Sequence, residues 1–130
     1  MLHELLLRYL KEVEICLKTC NDAFAELYEE EILAPDRVNL RIRLRFYNGY
    51  LLELNESVIF EGEVRRLGYR YHFQDRQNNL VFRYHNTPHF PELKTFPYHK
   101  HLPNEVIPAQ RPSVLQVIQE SRLPSNAPQE

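Results

Sequence analysis

Cysteine is scarce in this chain, and it is not arranged for redox chemistry. Two thiols, Cys16 and Cys20, occur among 130 residues, and no Cys-x-x-Cys is present. Four positions apart on a helix, they share one face, where a mutual disulfide is geometrically awkward, so both read as core thiols. Also missing are a leader-type segment and any apolar run approaching the roughly 18 residues of a membrane-crossing helix. The cytoplasm is therefore the expected compartment, with no membrane partner. Net charge is small as well, at -2. Long disorder is disfavoured, because 43% hydrophobic against 26% charged residues is an ordinary globular balance.

The small net charge hides a segregation. Residues 1–36 hold nine acids against three bases, and residues 37–101 hold eleven bases against six acids. Such polarity suits a polyanion bound by the middle of the chain, or simply a basic sheet face balanced by an acidic helix. A chain of this length fits one domain that buries roughly two thirds of its unfolded surface. Residues 1–122 are expected to form a single α+β domain. Residues 123–130, with Pro124 and Pro128, no aromatic residue and no periodicity, are expected to be a disordered tail.

Leu2, Leu5, Leu6, Tyr9, Leu10, Val13, Leu17 and Cys20 recur at spacings of three and four, which predicts an amphipathic N-terminal helix. Residues 24–33 suit a helix or a strand, and a strand is favoured. Ala34-Pro35-Asp36 marks a turn. From Val38 to Phe46 apolar residues alternate strictly with Asn39, Arg41, Arg43 and Arg45, the clearest strand in the chain. Register selects the next turn. A two-residue Asn48-Gly49 loop would mix apolar and polar faces, whereas a three-residue loop sets Leu44 opposite Leu52 and Ile42 opposite Leu54, with Gly49 left-handed. Val58-Ile59-Phe60 reads as an edge or continuing strand and Glu61-Gly62 as a turn.

In residues 64–74, Leu67, Tyr69, Tyr71 and Phe73 occupy one face and Arg66, Gly68, Arg70, His72 and Gln74 the other. Leu80, Phe82 and Tyr84 alternate with Val81, Arg83 and His85. Pairing Phe73 with Leu80, or a shift of two, gathers Arg70, His72, Arg83 and His85 on one side. Residues 86–101 read as a proline-stiffened loop carrying His89, His99 and His101. Pro112-Ser113 opens a short C-terminal helix. The expected fold is thus α+β: an N-terminal amphipathic helix on a single antiparallel sheet of about five strands, then the loop and the short helix.

Five of the six histidines lie between residues 72 and 101, beside Arg70, Arg83 and Lys100. Imidazoles titrating near neutrality exchange protons with a hydroxyl, and fixed cations stabilise a reacting phosphate, so the set suits metal-independent RNA cleavage. The plain alternative is half-exposed strand histidines and loop histidines satisfying the backbone. His89, His99 and His101 could instead hold zinc, but Lys100 between two ligands adds charge where a dication must sit. No metal or cofactor is therefore expected. Arg41, Arg43 and Arg45 could extend a phosphate track, with Tyr98 or Phe90 stacking on bases.

The run Asn86-Thr87-Pro88-His89-Phe90-Pro91-Glu92-Leu93, followed by Phe96-Pro97-Tyr98-His99-Lys100-His101 and preceded by Leu67-Gly68-Tyr69-Arg70-Tyr71-His72-Phe73-Gln74-Asp75, closely resembles the TumE family of bacterial toxins. The likeness spans about residues 38–112. His85 stands where such proteins commonly carry aspartate, and Tyr98 where they commonly carry histidine. What the resemblance implies is a toxin-like protein paired with a neighbouring-gene antitoxin of helix-turn-helix type. Combined with the residues above, the expected function is a toxin acting on RNA, as a metal-independent ribonuclease or, alternatively, as a non-enzymatic interaction module or metal-dependent nuclease, in a monomer or homo-oligomer. His72, His89, His99 and Lys100 are the candidate catalytic residues. Arg70, Tyr71, Arg83, Asn86 and His101 are the candidates for binding substrate.

Overall fold

A computed structural model describes residues 1–86 and 98–126, with side chains described as far as Arg122. Helix α1 (Glu4–Lys18) precedes strands β1 (Ala23–Ala34), β2 (Arg37–Phe46), β3 (Leu51–Phe60), β4 (Val64–Gln74), β5 (Leu80–His85), β6 (His99–Leu102) and β7 (Glu105–Pro108), and helix α2 (Val114–Asn126) closes the order. The strands form one antiparallel sheet in sequential order. The α+β class and both helices agree with the sequence reading, but the described residues contain seven strands rather than about five. The additions, β6 and β7, have four residues each. β6 begins inside the stretch 86–101 that reads as a proline-stiffened loop, and β7 follows it in residues for which the sequence suggests no element; strands so short gain their stability from cross-strand partners.

Helix α1 begins where the His3 ring substitutes for a missing backbone acceptor: its Nδ1 accepts from the Leu5 amide at 3.0 Å. The same ring stacks on Phe60 at 3.7 Å between centroids, tying the helix start to the end of β3. Leu6, Leu10 and Val13 are buried, as the three-and-four spacing requires. They meet the apolar face of the sheet, built from Leu40, Ile42, Leu44 and Phe46 of β2, Leu52, Leu54 and Val58 of β3, and Tyr71, Phe73 and Phe82 beyond, while α2 adds Val117 and Ile118. Both cysteines are free, with Cys20 buried.

Strand register follows the alternation. Leu44 pairs with Leu52 and Ile42 with Leu54. The Phe46 amide donates to the Tyr50 carbonyl at 2.9 Å and Gly49 has φ +96°, a backbone state that disfavours any residue with a Cβ. Strand β3 runs unbroken to Phe60. Phe73 faces Phe82, with Leu80 shifted to Gln74 by an irregularity. This differs by two residues from the Phe73–Leu80 pairing, so the two faces are preserved.

One irregularity does change a face. Between Ser57 and Val58 of β3 the register slips against β4, from Gly68 to Arg66. The extra residue, Leu67, turns outward to 52% exposure, and Arg66 swings to the helix side. The sequence places these two the other way round, because strict period-two counting cannot see a bulge.

Candidate functional site

The face opposite the helices is polar because β2, β4 and β5 put their second, basic parity there. Two rows cross the sheet. Arg70 of β4 lies beside His85 of β5, which lies beside His99 of β6; one step along, His72 lies beside Arg83, and Arg83 beside His101. Adjacent strands sit about 4.8 Å apart, so six cationic or imidazole side chains share a patch roughly two strand spacings wide. Towards β2 the first row continues through Asn55 to Arg41 and the second through Glu53 to Arg43. A shallow groove of about 410 Å³ is lined by Asn39, Arg41, Asn55, Gly68, Arg70 and Asn86.

Within the patch His72 has a defined protonation. Arg83 Nε, which can only donate, points at His72 Nδ1 from 3.1 Å. Nδ1 must then accept, and the ring proton lies on Nε2, 3.0 Å from Gln74 Oε1. Burial, followed by the charges of Arg83 and Arg70, holds the His72 pKa below the usual histidine value. His72 is therefore a neutral ring with a lone pair directed along the sheet surface. Arg83 is itself pulled down, by burial and then by the Arg70 charge, as expected where like charges lie close together.

His85, His99 and His101 converge. His85 Nε2 stands 2.6 Å from His101 Nε2 and 3.0 Å from His99 Nε2. The sequence offers His89, His99 and His101 as zinc ligands; in the fold the residue that joins the latter two is His85, a strand partner, and these three could hold a metal ion. His89 lies outside the described residues, as do Phe90 and Pro88. Asn86 acts on the backbone. Its Oδ1 accepts from the Tyr69 amide and its Nδ2 donates to the Leu67 carbonyl, each at 3.1 Å, so a side chain continues the β4 ladder past the last paired residue of β5.

Three candidates do not join this surface. Lys100, between His99 and His101 in sequence, points to the helix side because alternate strand residues face opposite ways. Its Nζ meets Glu120 Oε2 of α2 at 2.5 Å and lies over the Phe82 and Tyr84 rings. Tyr71 is wholly buried on that same side. Tyr98, expected to stack on bases, instead stacks against Tyr69 with Arg111 over its ring. Strand parity corrects the candidacy of Lys100, and that of Tyr71, which the family likeness suggests; the packing of Tyr98 on Tyr69 corrects the third.

Sequence reasoning missed a second polar cluster entirely. Glu56, with no exposed side-chain surface, accepts from Tyr9 at 2.5 Å and from Tyr71, and stands 3.9 Å from Arg66, which also donates to the Tyr71 hydroxyl at 2.7 Å. Burial and the Glu56 charge push both phenols well above the usual tyrosine range. A signal existed: Glu56 occupies the apolar parity of Leu52, Leu54 and Val58, where a lone carboxylate demands partners.

No helix among the described residues is long and apolar enough to cross a membrane. The family model described as Toxin TumE matches residues 13–122. Comparison with curated proteins gave no match, and comparison with solved structures gave none.

Proposed function

The chain belongs to the TumE toxin family, and from that premise we propose that it is a cytoplasmic toxin whose target is RNA and whose reaction is RNA cleavage. The observation that carries this reading is the pair of rows Arg70–His85–His99 and His72–Arg83–His101 on the face away from both helices. A phosphodiester lying across the rows meets Arg70 and Arg83 with its non-bridging oxygens, and drawing Arg83 onto phosphate uncovers His72 Nδ1. The neutral ring then takes the proton of the 2′-hydroxyl as that oxygen attacks phosphorus. The bond to the 5′-oxygen breaks, and a protonated ring of the histidine cluster returns a proton to the leaving oxygen through His101, which is part-exposed where His85 and His99 are buried. The products are a 2′,3′-cyclic phosphate and a 5′-hydroxyl. Arg41 and the groove beside it guide the strand, and Asn86 holds the β4 bulge that shapes the groove.

The antitoxin partner follows from the toxin family; that it is a helix-turn-helix protein encoded alongside belongs to the proposal. Binding without catalysis is the second reading, favoured by Phe24, Ile32 and Leu33, exposed apolar residues on edge strand β1.

Purified protein incubated with mixed cellular RNA, followed by sequencing of new 5′ ends, is the test. Cleavage is expected, falling by about 10²-fold or more in His72→Ala and strongly in Arg70→Ala, an exposed position. RNA left intact by the wild type, together with growth inhibition that His72→Ala does not relieve, refutes the catalytic reading.

A further inference from the structure

The histidine cluster presents one kind of atom at one point. Nε2 of His85 is within 3.0 Å of Nε2 of both His99 and His101, and the ligand atoms of all three rings lie within 4.8 Å of one another. An imidazole nitrogen carries either one proton or one in-plane lone pair. Against two ring nitrogens at once, His85 Nε2 makes one good hydrogen bond and one poor contact. A cation accepting a lone pair from each ring satisfies all three together.

Backbone geometry, rather than chance rotamers, brings the rings together: His85 and His99 are cross-strand partners, and His101 follows two residues later on the same face. The objection that Lys100 places charge among the ligands disappears, since that ammonium is on the other side of the sheet with Glu120. We propose that His85, His99 and His101 form a transition-metal site that takes a zinc-like divalent ion through three Nε2 atoms.

An all-nitrogen set suits Zn²⁺, Co²⁺, Ni²⁺ or Cu²⁺ and not Mg²⁺ or Ca²⁺, which require oxygen. Zinc–nitrogen bonds of about 2.0–2.1 Å in a tetrahedron separate ligand nitrogens by about 3.3 Å. The 2.6 Å contact therefore opens by less than about 1 Å, while the widest separation, at most 4.8 Å, closes by up to about 1.5 Å through rotation of the rings. Arg70 and Arg83 flank the site in the same rows and favour an anionic group, such as a phosphate oxygen, as a further ligand. With the ion bound no Nε2 of the cluster carries a proton to give; in the cleavage reaction the ion would stabilise the leaving 5′-oxygen by its charge, and a water molecule would protonate that oxygen. That consequence rests on the RNA reading; metal binding does not.

The test uses full-length protein purified without an affinity tag, stripped with chelator and titrated with CoCl₂ and then ZnCl₂. About one Co²⁺ per chain is expected, with visible absorption that Zn²⁺ abolishes by displacement and affinity falling at least about tenfold in His101→Ala and His99→Ala. His72→Ala, off the cluster, is expected to bind as the wild type does. Should the buried His99 variant fail to fold, half-exposed His101 carries the comparison, and wild-type stoichiometry needs no variant. Co²⁺ binding below about a tenth of an equivalent, or binding unchanged by His101→Ala, overturns the proposal. Metal-loaded protein that binds Co²⁺ but leaves RNA intact supports the site and counts against the RNA reading alone.

Discussion

Replacing Lys100 by methionine separates two roles that sequence proximity to His99 and His101 confuses. In the fold its ammonium donates to Glu120 at 2.5 Å and lies 5.2 and 4.9 Å from the centres of the Phe82 and Tyr84 rings, while Tyr84 donates to the other Glu120 oxygen at 2.6 Å. A charge-assisted hydrogen bond contributes about 1.5–3 kcal/mol, and a partly desolvated cation over aromatic rings about 0.5–2 kcal/mol. Methionine keeps the apolar contact of the stem, and Glu120, 31% exposed in its side chain, rehydrates when its partner is lost. The expected loss is thus about 1–3 kcal/mol, below the plain sum of the gains. Urea unfolding followed by far-UV circular dichroism, run on Lys100→Met, Glu120→Gln and the double variant, should show the two single losses failing to add. Cleavage per folded molecule should remain within about threefold of wild type, because the side chain is on the opposite face from His72. A Lys100→Met protein as stable as wild type but unable to act on RNA would refute this reasoning and return Lys100 to the reacting site.

The Glu56 cluster should behave as a buried pair does: Glu56→Leu alone strands Arg66 and loses about 3–5 kcal/mol, whereas Glu56→Leu with Arg66→Met recovers most of that in the same unfolding assay. Equal losses in single and double variants would show that the ionic contact is not what holds this part of the core. For His72, the folded pKa lies below the unfolded one, so the unfolded state takes up the proton first as pH falls. Its contribution is complete above about pH 6.5 and is lost as pH drops through the folded value. The urea midpoint of His72→Gln should accordingly vary less between pH 7.5 and 5.5 than that of wild type, and a ring that titrates at or above the ordinary histidine value by NMR would contradict the assignment.

Much of the candidate surface was legible without coordinates. Alternation in residues 64–74 and 80–85 is strict enough that Arg70, His72, Arg83 and His85 emerge together in either of two registers, which is why an error of two residues in the Phe73 pairing did no harm. The family likeness, carried by Asn86 to His101, was legible too, and the family match covers residues 13–122. His99 and His101 were recognised as candidates, but not their partnership with His85. That partnership depends on β6 returning to β5, a pairing twelve or more residues apart in sequence and formed by a strand of four residues.

Local alternation and helical spacing, being properties of neighbouring residues, determined α1, strands β2 to β5, the Gly49 turn and the basic parity of the sheet, while residues 24–33 suited either a strand or a helix until β1 paired with β2. Tertiary structure alone decided the rest: a bulge at Leu67 that sends Arg66 inward, a carboxylate at Glu56 sealed among Tyr9, Tyr71 and Arg66, Lys100 facing α2, and three imidazoles meeting at one point. Each of these depends on which distant backbone a strand or helix lies against. A sequence encodes the period of its own segments, but the partner that turns a periodic residue into a buried ion pair or a ligand is supplied only when the chain closes on itself.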